Sequence, residues 1–168
     1  EGLVMGTRSG DIDPQILIYL AKQKGFSIDE IDKILNKESG IKGICGSSDM
    51  RDIEAKAQNG DKFAILALEI FAYRAKKYLG SYMASLGKVD AIVFAGGIGE
   101  NSQLVRMKIL ENLEILGIEC DKEKNAIRSR EPFEINTDKS KIKVLVIHTD
   151  EEKEIAKQTM KLATIDLI

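Results

Sequence analysis

The chain has 168 residues, 25 basic and 27 acidic side chains, and a formal net charge of −2. This length suits one domain with a real hydrophobic core, and without a basic block there is no electrostatic reason to expect a nucleic-acid partner. The longest apolar stretch, residues 63–71, is broken by Glu69 and followed by Arg74, so no membrane span or membrane partner is expected.

The first residue is not methionine, and the chain reads as one domain, residues 1–168, cut from something larger. Residues 1–14 crowd Gly2, Gly6 and Gly10 with Thr7, Ser9 and Arg8, too broken a pattern for helix or strand. Glycine lets backbone come close to a ligand, and the planar fork of Arg8 suits carboxylate or phosphate. A plain turn into a helix would explain Asp13 as N-cap and Pro14 at the first helical position, but not Gly6 to Gly10. A ligand loop is the favoured reading.

Residues 14–24 place Ile16, Leu17, Leu20 and Ala21 on one helical face, closed by Gly25. Ser27 and Glu30 form a capping box for a second helix. Residues 40–46 read as a glycine-rich linker. Ser48 and Asp49 open a third helix ending near Asn59 and Gly60, and Asp61 caps the longest one, to about Leu86. Phe63, Ile65, Leu66, Leu68, Ile70 and Phe71 cover more than one stripe of it, which predicts burial on several sides or a subunit interface.

The periodicity then changes. Residues 91–95 form a short apolar run, as in a strand covered on both faces. A glycine loop follows, then a helix over 102–116. Short strands are expected at 118–120 and 133–135, a second buried strand at 143–147, and a closing helix at 151–162. Alternating strands and helices indicate parallel βαβ units. Cys45 and Cys120 stand without a CxxC pair or a histidine at ligand spacing and read as reduced, half-buried thiols of a cytoplasmic protein. His148, the only histidine, reads as structural, and Lys76, Lys77 and the mixed charges of 122–130 as solvated surface.

Three segments carry possible chemistry. Gly97, Ile98, Gly99, Glu100 and Asn101 lie between a buried strand and a helix, where open α/β sheets bind ligands. A dinucleotide fingerprint is a rival, with Glu119 near the distance of a ribose-binding acid, but Ser102 stands where the third glycine should be. Thr149, Asp150, Glu151 and Glu152 follow the second strand; acids there usually complement a helix dipole. A carboxylate at that edge also suits Mg²⁺, which takes one or two carboxylates plus phosphate oxygens and water. Asp49, Met50 and Arg51 begin a capped helix and offer groups for a ribose or base edge, with Met50 an adaptable apolar surface.

Residues 1–14 closely resemble the second signature of the acetokinase family of acetate and butyrate kinases. Ser48-Asp49-Met50-Arg51, Gly97-Ile98-Gly99-Glu100-Asn101 and Thr149-Asp150-Glu151-Glu152 match segments of that family in the same order. The resemblance implies an α/β fold, the C-terminal part of an actin-like (RNase H-like, sugar kinase/Hsp70/actin superfamily) ATPase domain in a two-domain kinase, helix-rich with a small mainly parallel sheet. It implies transfer of phosphoryl from ATP to acetate, or to propionate or butyrate, with Mg²⁺ and in a homodimer. By the same resemblance Arg8 stabilises the phosphoryl group in transfer. Asp49, Met50 and Arg51 line the adenosine pocket, Gly97 to Asn101 contact the nucleotide, and Glu151 ligates Mg²⁺. The family's N-terminal half is missing, so the chain is expected to be inactive alone. A non-catalytic nucleotide-binding and dimerisation module is the alternative. His148 replaces the family's usual proline and receives no role.

Overall fold

Side-chain caps set most helix starts in the computed structural model, which describes residues 2–165. Asp13 caps α1 (Pro14–Lys24), and Gly25 ends it in the left-handed region. Ser27 and Glu30 form the expected capping box of α2 (Ile28–Lys37). Asp49 caps α4 (Met50–Gln58), and Asp61 caps α5 (Lys62–Leu86), about 37 Å long at 1.5 Å per residue.

Residues 40–45 are not a linker. They form α3 (Gly40–Cys45), with Ile41 fully buried. The glycine is there for a close approach: at Gly40, φ is +62°, and a Cβ would run into the Met5 carbonyl oxygen and come within 2.7 Å of that of Arg8. The opening loop is laid against this helix start. Ser39 N–H donates to the Thr7 carbonyl (3.0 Å), Ile41 N–H to that of Met5 (2.9 Å) and Lys42 N–H to that of Gly6 (2.9 Å). From the other side, Asp11 accepts hydrogen bonds from Arg74 and Tyr78 of α5, both at 2.6 Å. Gly10 too has a positive φ, +74°, and backs onto Gly2 and Leu3. Its freedom lets the loop pack against itself.

Two apolar clusters form the core. Ile41, Ile53, Ala64, Leu68 and Val105 join α3, α4, α5 and α7 (Gln103–Leu110). Ile92 and Val144 of the sheet join Leu110, Ile118 and Ile135 in the second. Phe94 packs against both. α5 buries only one face, around Ala64, Ala67, Leu68 and Ala72. Phe63, Leu66 and Tyr73 are exposed on another, so the helix is not buried on several sides.

The sheet runs β1 (Ala91–Phe94), β3 (Lys143–Val146), β2 (Phe133–Glu134) in spatial order. β1 and β3 are parallel, with Ala91 opposite Lys143 and Phe94 opposite Val146. β2 is antiparallel to β3, so the sheet is mixed. Residues 118–120 are not a strand; Cys120 makes a single bridge to Asn136. β1 is not covered on both faces either: Ile92 is buried, while Val93 remains 51% exposed on the outer face. The glycine segment after β1 is helical, α6 (Gly96–Asn101), and the expected long helix after it divides into α7 and a 3-10 turn at Glu114–Leu116. α8 (Lys122–Asn125) and α9 (Glu151–Ile165) are the remaining helices among the described residues, and residues 151–163 are all exposed. No helix among the described residues is long and apolar enough to cross a membrane.

Candidate functional site

Because β1 and β3 are parallel neighbours, their carboxyl ends share one edge, and the turns into α6 and α9 meet there. Glu100 joins them. Its Oε1 accepts from Gly96 N–H (2.8 Å), Thr149 N–H (2.8 Å) and the Thr149 hydroxyl (2.7 Å), and its Oε2 contacts His148 Nδ1. Burial pushes the Glu100 carboxyl up, but the Thr149 donors, His148 and the Gly96 N–H together outweigh it and hold the pKa below the ordinary value. His148 therefore has a structural partner.

A cavity of about 650 Å³ opens between α4 and α6. One wall is the α4 face carrying Asp49, Met50, Arg51, Glu54 and Gln58; the other is Gly97, Ile98 and Asn101. Two of the three predicted segments thus meet around one space. Asp49 Oδ1 accepts from Arg51 N–H (2.9 Å) and Nε (3.0 Å), and Oδ2 from Nη2 (2.6 Å). The Arg51 guanidinium and backbone N–H hold the Asp49 carboxyl at about 2. Met50 is largely buried and roots this wall in the core. Ser102 donates its hydroxyl hydrogen to Glu54 and accepts from Val105 N–H (3.0 Å), which ties α4 to the start of α7.

The third segment lies next door. Gly97 and Glu100 on one side and residues 148–152 on the other line a second space of about 450 Å³. Asp150 is used locally, accepting from Lys153 N–H (3.0 Å), while Glu151 is exposed. Among the described residues no group of three or more His, Cys, Asp or Glu side chains converges as a metal cage.

Not every predicted contact faces the large cavity. Gly99 backs onto Phe94, where a Cβ would lie 3.3 Å from its carbonyl carbon. Arg8 is exposed on the opening loop and lines neither space. The loop reaches the site's flank at Gly6, where a Cβ would sit 3.4 Å from that of Ser48. Glu119 lines a different cavity with Cys120 and Lys122, so the dinucleotide fingerprint is not assembled.

Sequence reasoning missed several residues. Glu54, Gln58 and Arg128 line the large cavity. Arg106 is 2% exposed behind α6. Its Nη1 donates to the Gly99 and Glu100 carbonyls (both 2.8 Å), its Nε to Asn125 Oδ1 and its Nη2 to the Asn125 carbonyl (both 2.7 Å). A signal existed, since Arg106 and the core residue Leu110 stand four apart on one helical face. Arg128 gave none. Lys76, read as solvated, donates to the Glu111 carbonyl at 2.6 Å and links α5 to the end of α7.

This arrangement of helices, parallel strand pair and glycine-rich helix at their carboxyl ends is the α/β fold of the actin-like ATPase superfamily. The structure superposes on acetate kinase of Porphyromonas gingivalis with a TM-score of 0.88 at 44% identity, covering 97% of this chain and 41% of that one. A propionate kinase of Francisella tularensis gives 0.84 at 47% identity, covering 90% and 38%. The model of the acetokinase family matches residues 1–157, and the chain belongs to that family. It is 62% identical to acetate kinase of Desulfotalea psychrophila over 95% of its own length and 39% of that protein. Acetate kinases of Campylobacter jejuni are 56% identical over 96% of this chain and 41% of theirs. The chain thus spans about two fifths of the length of these curated relatives.

Proposed function

We propose that the complete protein carrying this chain is an acetate kinase, moving the terminal phosphoryl group of ATP to acetate to give acetyl phosphate and ADP, and that this chain is its C-terminal nucleotide-binding part. The observation that carries the reading is convergence. The start of α4 and the glycine helix α6 enclose one cavity, and the acidic turn before α9 lies beside it on the same sheet edge.

In this reading Asp49, Met50 and Arg51 receive the adenosine, the Asp49–Arg51 pair being already oriented by its hydrogen bonds. Gly97, Ile98 and Asn101 form the opposite wall. Gly99 and Glu100 act from behind it, Glu100 by clamping the two turns. Glu151 offers a carboxylate to Mg²⁺, which when bound neutralises phosphate charge. Arg8 stabilises the phosphoryl group in transfer, a reaction that depends on positioning and charge neutralisation. Acetate is the substrate we assign; propionate or butyrate is the variant reading, and the Francisella neighbour, a propionate kinase, supports propionate. Exposed Phe63, Leu66 and Tyr73 along one face of α5 support a homodimer, and we place the protein in the cytoplasm.

Calorimetric titration of MgADP, with Arg51→Ala as control, tests the site. Binding weakened by the substitution is the expected result; binding indifferent to it would remove Asp49–Arg51 from the nucleotide site. A hydroxamate assay tests the reaction, with turnover expected from the complete protein and none from residues 1–168 alone.

A further inference from the structure

The large cavity has a third wall that the family motifs do not reach. Arg128, on the connection between α8 and β2, lines it together with α4 and α6. The same side chain also lines a neighbouring space of about 300 Å³, shared with Asn101, Arg130 and His148.

The chemistry of the cavity makes this arginine conspicuous. None of the residues lining it is aromatic, so the flat cationic surfaces it offers a heteroaromatic base are guanidinium planes. Two guanidinium groups are available. That of Arg51 is held edge-on by both oxygens of Asp49. Arg128 has no ion pair among the described residues, and the other acid of the wall, Glu54, is engaged by Ser102. Arg128 is exposed, and its segment leaves from a fixed residue. Asn125, three residues before it, is 2% exposed, accepts from Arg106 and donates from Nδ2 to the Gln103 carbonyl (3.0 Å). The segment leaving α8 therefore starts from a fixed point beside the cavity.

We propose that Arg128 is a nucleotide-recognition residue, its guanidinium closing the cavity over the base and ribose of a purine nucleotide. The inference rests on the nucleotide reading of this cavity. The planar fork does the work, so lysine does not replace it.

The test compares wild type, Arg128→Ala, Arg128→Lys and Arg51→Ala of the complete protein by calorimetry with MgADP and, separately, with magnesium tripolyphosphate, which has no base. Steady-state KM values for ATP and acetate are measured alongside. Loss of a desolvated guanidinium face weakens MgADP about tenfold. The inference expects that loss in Arg128→Ala, little recovery in Arg128→Lys, and unchanged tripolyphosphate affinity and acetate KM. MgADP affinity within twofold of wild type in Arg128→Ala, with Arg51→Ala still weakened, would overturn the role of Arg128 and leave the nucleotide cavity standing. Equal losses for MgADP and tripolyphosphate would overturn base recognition. If neither substitution changes MgADP affinity, the cavity is not the nucleotide site and both readings fall.

Discussion

Arg106→Leu removes a buried guanidinium that sits behind the proposed nucleotide wall without an acidic partner among the described residues. Burial pushes its pKa down from the usual arginine value, so the charge is held at a cost. Leucine fills part of the stem's volume but leaves four oxygens without their donor: the carbonyls of Gly99, Glu100 and Asn125, and Asn125 Oδ1. At about 1 kcal/mol or more per orphaned acceptor, less the relief of no longer burying a charge, the net loss is about 3 kcal/mol. For a domain of this size, about 2–4 °C per kcal/mol makes that a fall in Tm of roughly 6–12 °C. Thermal and urea unfolding followed by circular dichroism measure it. Asn125→Ala and the double variant complete a cycle, and the two losses should not add, because one network carries both. A loss below about 1 kcal/mol, or clean additivity, would refute the view that Arg106 holds α6 against α8.

Gly40→Ala forces a Cβ into the carbonyls of Met5 and Arg8 at a positive φ; we expect a loss of at least about 2 kcal/mol in urea, and an unchanged midpoint would show that the opening loop does not sit on α3. Leu68→Ala, in the centre of the helical cluster, should cost about 2–5 kcal/mol, and a smaller loss would mean that the cluster closes around the gap. Asp11 is held below the ordinary carboxylate value, first by the Tyr78 hydroxyl and then by Arg74, and Glu100 is held low by its donors against burial. Groups with depressed folded values stabilise above the unfolded value, about 4, and lose that contribution as pH falls through the folded one. Urea midpoints should therefore drop below about pH 4, and less steeply in Asp11→Asn and Glu100→Gln; identical pH slopes in wild type and variants would contradict this.

What the sequence revealed was local. Asp13, Ser27 with Glu30, Asp49 and Asp61 cap helices where expected, because a cap is decided within four residues. The parallel pairing of β1 and β3, and so the meeting of the glycine and acidic turns, also followed from pattern. Gly40 misled because its reason lies with Met5 and Arg8, more than thirty positions away. Val93 misled because an apolar run cannot say which of its faces finds cover. Arg128 was hidden in a run of mixed charge, since only the folded chain brings it beside α4. Glu100 stood in a recognised motif, yet its bonds to Thr149 and His148 need the crossover to be complete.

The Ala91–Lys143 register has a kinetic meaning. Strands joined through so long a connection close a large loop before any ladder bond rewards them. α4 and α5 instead follow directly in the chain and share a core cluster. Sequence separation therefore predicts that the helical layer forms before the edge where α6, Glu100 and the α9 turn meet. A ligand that recognises only the finished edge drains the last folding equilibrium towards the native state, by RT ln(1 + [L]/Kd). A nucleotide bound at that edge, as proposed, would therefore resist unfolding as well as serve the reaction.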